Sequence, residues 1–138
     1  MAVEQTLILA KPDAIRRSLA GEIVARFERR GFRLRAARLL TVDRPLAEEH
    51  YAEHQAKPFF GELVEFITSG PTLAFVLEGE GVITTARTTI GATNPADAGP
   101  GSIRGDFASA MPDNLVHGSD SPESAAREIA LWFPDGLV

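Results

Sequence analysis

The chain contains no cysteine, which excludes disulfide frameworks, thiolate metal sites and cysteine nucleophiles and fits a reducing compartment. Cations are outnumbered: 14 Lys plus Arg stand against 19 Asp plus Glu, for a formal charge of -5. That balance disfavours a surface built to blanket a nucleic-acid backbone, so an anion site has to be a local cluster. Lysine is scarce too, since only Lys11 and Lys57 are present and every other cation is arginine, the side chain suited to bidentate phosphate contacts. One Tyr and one Trp leave little for an RNA-binding sheet of exposed aromatics. No apolar run approaches bilayer length, and Met1-Ala2-Val3-Glu4 lacks the basic start of a secretory signal. These absences predict a cytoplasmic protein without membrane or nucleic-acid partners. Its 138 residues, 44% hydrophobic and 24% charged, suit one domain spanning 1-138.

What is present divides into short segments. The apolar run Leu7-Ile8-Leu9-Ala10 ends residues 3 to 10, a buried strand, and Lys11-Pro12-Asp13 follows as a turn or helix start. Ile23, Val24 and Phe27 line one face of a helix from Ala20 to Arg30, closed by Gly31. Phe32-Arg33-Leu34-Arg35-Ala36 alternates as a half-exposed strand running towards Val42. Pro45 opens a polar helical stretch to about residue 55, and Phe59 to Thr68 is helical again. Thr72 to Leu77 is a third strand, turned by Glu78-Gly79-Glu80-Gly81. Val82 to Ile90 reads as helix, Gly91 to Gly101 as a functional or interface loop, and Asn114 to His117 as a fourth strand. Asp120 is an N-cap candidate for a last helix whose Ala125, Ile129, Trp132 and Phe133 share a face. This order predicts an α+β fold, a ferredoxin-like sandwich with a four-stranded antiparallel sheet covered by helices.

Phosphate-binding loops of the common kinds are missing: there is no P-loop, and Gly99-Pro100-Gly101-Ser102-Ile103-Arg104 puts Arg104 where a dinucleotide fingerprint needs glycine. The chemistry points instead to Asn114-Leu115-Val116-His117-Gly118-Ser119-Asp120. A neutral imidazole leaving a short strand is a competent nucleophile near neutral pH if an acceptor holds its other nitrogen, and Gly118 would leave one side of the ring open. Glu128, at the flank of the last helix's apolar stripe, is a candidate acceptor. A turn histidine satisfied by local backbone is the alternative reading. His50 and His54 are four apart, but a zinc site needs three or four ligands and no partner segment is apparent.

Six runs together resemble the nucleoside diphosphate kinases: Lys11-Pro12-Asp13, His50-Tyr51, Lys57-Pro58-Phe59-Phe60, Thr93-Asn94-Pro95-Ala96-Asp97, Ile103-Arg104-Gly105-Asp106-Phe107 and His117-Gly118-Ser119-Asp120-Ser121. They occur in that family's order and spacing over nearly the whole chain. The resemblance implies that His117 takes the γ-phosphoryl group of a nucleoside triphosphate and passes it to a nucleoside diphosphate in a ping-pong cycle. It implies supporting roles for Glu128, Tyr51 and Ser119, with Tyr51 near the catalytic imidazole and His50 structural. Arg87, Thr93 and Arg104 would be phosphate ligands, Lys11 and Asn114 ribose and phosphate contacts, and Phe59 the platform on which a base stacks without base-edge readout. Phe60 is left to packing, and His54 would come close to a phosphate. Magnesium is expected, held mainly by the nucleotide's phosphates rather than by a protein metal cage.

The sequence departs from the commonest family pattern at Ala14 and Ala86, each in place of a glycine, and at Met111-Pro112-Asp113 before Asn114. Those changes are expected to shift loops, with Met111 altering the wall opposite Phe59. The chain ends soon after Trp132-Phe133, where many relatives carry a longer extension that helps subunit contacts. The resemblance implies self-association, a hexamer favoured over a tetramer, with the Gly91 to Gly101 loop at its threefold contacts. Rival readings are a non-catalytic ferredoxin-like nucleotide sensor, which binds through Arg87 and Arg104 without phosphorylating His117, and an RNA-binding sheet.

Overall fold

A computed structural model describes residues 2–138. Strand β1 (Val3–Ala10) is followed by helices α1 (Pro12–Arg16) and α2 (Ala20–Arg29), strand β2 (Arg33–Thr41), helices α3 (Arg44–His50) and α4 (Phe60–Ile67), and strand β3 (Pro71–Glu80). Helices α5 (Val82–Ile90) and α6 (Ile103–Phe107), strand β4 (Val116–Gly118) and helix α7 (Pro122–Trp132) complete the order. Single 3-10 turns lie at Ala52–His54 and Pro95–Asp97. The four strands form one sheet in the order β2-β3-β1-β4, every pair antiparallel. This is the ferredoxin-like α+β sandwich expected from the element order.

Helices on both faces explain why the second half of β1, Leu7 to Ala10, is apolar without interruption, since alternate side chains enter opposite cores. Ile8 and Ala10 pack with Phe75, Leu77, Phe27 and Ile90 on one side. Leu7 and Leu9 pack with Ala74, Val76, Val64, Ile67 and Trp132 on the other. Helix α7 serves both, through Ala125 and through Trp132. Ala14 and Ala86, both fully buried, sit within α1 and α5. Their methyl groups fill the first core instead of reshaping loops.

Several local expectations are corrected. Strand β3 runs through Glu78 and Gly79 to Glu80 because these pair with the start of β1, and the turn is made by Gly81 alone, at φ 61. The strict alternation in β2 fails because a register shift between Leu34 and Ala36 resets its faces. Strand β4 begins at Val116 rather than Asn114, since only Val116, His117 and Gly118 pair with β1. The cap of α7 is Ser121, whose side chain accepts from the Ser124 amide, and not Asp120. After the Gly91 to Gly101 loop comes α6, too short to show a period, capped by Ser102 through the Gly105 amide. A side chain at Gly105 would fall 1.9 Å from the Gly99 carbonyl oxygen, so that loop closes on its helix only with glycine there.

Candidate functional site

His117 lies on β4 opposite Leu9 of β1, at the outer edge of the sheet. Its Nε2 is 2.9 Å from Glu128 Oε1. The same Oε1 accepts from the Ser119 hydroxyl at 2.7 Å, and Ser119 Oγ accepts from the Leu7 amide at 3.1 Å. The imidazole is thus held through a chain of bonds that ends on the central strand. A carboxylate accepts only, so Nε2 carries the proton and Nδ1 keeps its lone pair. Among the described residues Nδ1 has no hydrogen-bond partner. Burial opposes ionisation of Glu128, but the His117 hydrogen bond and charge, with Ser119, outweigh it and hold the carboxyl below its ordinary range.

His50, at the end of α3, stands edge-on to the His117 ring with centroids 4.7 Å apart. Its Nδ1 accepts from the Trp132 indole at 3.1 Å. Burial and the neighbouring His117 push its pKa down to about 3, so it is neutral at physiological pH. Tyr51 is edge-on to His50 at 4.8 Å, and burial, then the Glu128 charge, drives its hydroxyl upward. Arg127 donates to the carbonyls of Glu49 and His50 at 3.0 and 3.1 Å, tying α3 to α7. Gly118 is also required by packing. A Cβ there would lie 2.7 Å from Ile90 Cδ1, so its glycine serves the packing of β4 on α5.

A cationic cluster adjoins this histidine. Lys11, buried where β1 ends, donates to Asn114 Oδ1, and Asn114 Nδ2 donates to the Thr93 carbonyl at 3.0 Å. Burial, assisted by Arg104, lowers the Lys11 pKa to about 8 while Asp13 and Asp113 oppose that shift. Arg104 extends from α6 to the carbonyls of Asn114, Gly91 and Val116 at 3.0, 3.1 and 2.5 Å. Burial first, then Arg87, brings its pKa down to about 10. Arg87 donates to the Gly118 carbonyl at 3.1 Å and lines a groove with Thr93, Thr88 and Asp120.

Phe59 is 42% exposed, whereas Phe60 packs against the second core. His54 faces the Phe59 ring at 5.6 Å. It lies in the 3-10 turn, away from the α3 helix that carries His50, so the two do not share a helical face. Beside it, Pro58, Gly61, Phe66 and Pro112 line a second groove.

Two side chains brace this cluster: Asp13, whose carboxylate accepts the Leu115 amide and which the sequence marks only by its place after Lys11-Pro12, and Met111, whose sulfur accepts from Asn114 and which the sequence marks only as a departure. For metal binding, His50, His117 and Glu128 bring ligand atoms within 4.8 Å of one another. The two imidazoles of that set already bond to Trp132 and Glu128, and magnesium prefers oxygen.

A carboxylate-held histidine beside clustered Lys and Arg, on a ferredoxin-like sheet, is an arrangement chemically suited to phosphate groups. A family model described as nucleoside diphosphate kinase matches residues 4–138. The nucleoside diphosphate kinase of Brevibacillus brevis is 62% identical over 95% of this chain and 89% of the relative. That of Rubrobacter xylanophilus is 62% identical over 95% and 98%. Nucleoside diphosphate kinase 1 of Spinacia oleracea is 58% identical over 99% and 92%. A crystal structure of a nucleoside diphosphate kinase family protein from Babesia bovis superposes with a TM-score of 0.94 at 45% identity, covering 98% of this chain and 92% of that one. The chain belongs to the nucleoside diphosphate kinase family. It is an enzyme, a phosphotransferase acting on nucleotides, and the non-catalytic sensor reading is not favoured.

Proposed function

We propose that the γ-phosphoryl group of a nucleoside triphosphate, chiefly ATP, passes through His117 to a second nucleoside diphosphate. The Nδ1 lone pair attacks the γ-phosphorus, the bond to the β,γ-bridging oxygen breaks, and a nucleoside diphosphate leaves. A terminal oxygen of the next diphosphate then attacks the phosphohistidine and frees the ring. The observation that carries this reading is the 2.9 Å bond from His117 Nε2 to Glu128, which commits the proton to one nitrogen and the lone pair to the other. Glu128 offsets the positive charge that grows on the imidazole, Ser119 fixes Glu128, and Tyr51 closes the aromatic wall around it.

Such a transfer needs alignment and compensation of negative charge more than proton chemistry. Lys11, Arg87 and Arg104 supply fixed positive charge, Thr93 and Asn114 supply hydrogen bonds to ribose or phosphate, and His54 sits within reach of a phosphate. Phe59 offers a stacking face that accepts purines and pyrimidines alike. Mg²⁺, bound by the phosphates, would screen the charge of the transferred group. Residues 1-138 act as a single domain in a homo-oligomer, a hexamer rather than a tetramer, in the cytoplasm. Among the described residues no helix is long and apolar enough to cross a membrane.

The test is incubation of the chain and of His117→Ala with γ-labelled ATP and Mg²⁺, followed by acid treatment and a GDP chase. Acid-labile label on the parent alone, discharged into GTP, is the expected result. ATP binding without label would overturn the reading of His117.

A further inference from the structure

With no cysteine and two methionines in the sequence, the only sulfur besides Met1 is that of Met111. It is 48% exposed, and it is not idle. Asn114 Nδ2 donates to Met111 Sδ at 3.4 Å, while the same amide group donates to the Thr93 carbonyl and its oxygen takes the Lys11 ammonium. The thioether is thus the solvent-facing end of a bonded series, Met111 to Asn114 to Lys11, whose other members are buried. Pro112, the next residue, borders the groove lined by Pro58, Gly61 and Phe66.

A thioether is a weak acceptor, and a sulfoxide is a strongly polar one. We propose that Met111 is a site of reversible oxidation by peroxides, and that its sulfoxide weakens nucleotide binding while leaving the chemistry at His117 intact. In the step, a sulfur lone pair attacks one peroxide oxygen. The S–O bond forms, the O–O bond breaks, and the departing hydroxide takes the proton left on the sulfur-bound oxygen and leaves as water. The sulfur is oxidised by two electrons and the peroxide reduced by two.

The new S=O oxygen competes for the Asn114 amide hydrogens that hold Thr93, and it turns Asn114 away from the geometry that presents Lys11. His117, Glu128 and Ser119 share no bond with Met111. This inference rests on the proposal that Lys11 and Asn114 contact the nucleotide.

The test treats the full chain and Met111→Leu with hydrogen peroxide and follows three readouts. These are peptide mass, steady-state KM and kcat for a nucleoside diphosphate, and the ADP dissociation constant by calorimetry. One added oxygen at Met111, a KM and Kd raised about threefold to tenfold as for a lost polar contact, and kcat nearly constant are expected. Methionine sulfoxide reductases for both epimers should reverse the change, and Met111→Leu should keep whatever KM it begins with. An unmodified Met111, a sulfoxide without effect on KM or Kd, or an equal response in Met111→Leu would each overturn it. Should the untreated chain form no phosphohistidine, the proposed role of His117 fails by itself, and the ADP titration still decides the fate of Met111.

Discussion

The Asp13 carboxylate accepts the backbone amide of Leu115 at 3.0 Å, across 102 residues of sequence. Leu115 has φ 70, a left-handed conformation that costs a branched side chain of order 1–3 kcal/mol. Its carbonyl is held as well, by the Lys11 amide at 2.9 Å. The α1 entrance thus clamps both polar groups of the residue between Asn114 and the strand of His117. Asp13→Ala should leave that buried amide unpaired, costing about 1–3 kcal/mol. Chemical denaturation checks the loss of stability, and a larger fall in turnover than in ADP affinity would show that His117 is the group displaced.

Gly118 gives a prediction in which a second change repairs the first. Gly118→Ala forces its methyl against Ile90 Cδ1 at 2.7 Å and should destabilise the chain by about 1–3 kcal/mol. Ile90→Val removes the carbon that is struck. The double variant should recover most of the loss, and unfolding midpoints for the four combinations measure it.

Glu128→Gln keeps the shape of the side chain but removes its charge and its certainty as an acceptor. Phosphohistidine formation should slow at least roughly tenfold to a hundredfold, the range for carboxylates that orient a metal-ligating histidine. Ser119→Ala, which frees Glu128 without removing it, should cost less. Rapid-quench labelling with γ-labelled ATP gives both rates.

Lys11 offers a proton count. Its pKa lies near 8 in the free protein, and a bound phosphate favours the ammonium and raises that value. Between about pH 8 and pH 9, ADP binding should therefore take up protons. Calorimetry in buffers of different protonation enthalpy measures this, and Lys11→Gln should lose most of the uptake.

His50 sets an acid limit. Its folded pKa of about 3 is depressed from 6.5, so below 6.5 the unfolded chain binds a proton that the folded chain refuses. The stability His50 contributes is complete above pH 6.5 and is lost as pH falls towards 3, at about 1.4 kcal/mol per unit. The charges facing it are His117, Glu128, Arg127 and Lys11. Between pH 6 and pH 4, His50→Gln should show a shallower decline in melting temperature than the parent.

The sequence reveals this site where its signals are local. Glu128 lies 11 residues after His117, at the edge of a helical stripe, so one turn and one helix suffice to foresee their meeting. The apolar run of β1 and the single face of α2 likewise announce the sheet and its cover. Asp13 with Leu115 and Lys11 with Asn114 could not be foreseen this way, because their separations of 102 and 103 residues carry no period. Helix α6 escaped because five residues make little more than one turn. The cap of α7 falls on Ser121, one residue past Asp120, because the two are equally good acceptors and only backbone direction separates them.

Strand β4 also governs what a ribosome releases piecemeal. Strand β1 can pair with β3 once Pro71–Glu80 is made, yet its other side is covered at Ile8, Leu9 and Ala10 only by β4. A nascent chain therefore carries a raw, apolar sheet border through most of its synthesis, a template for aggregation. His117 arrives on the strand that seals that border. Closing the sheet and placing His117 are consequently one event, since both depend on the same three residues of β4.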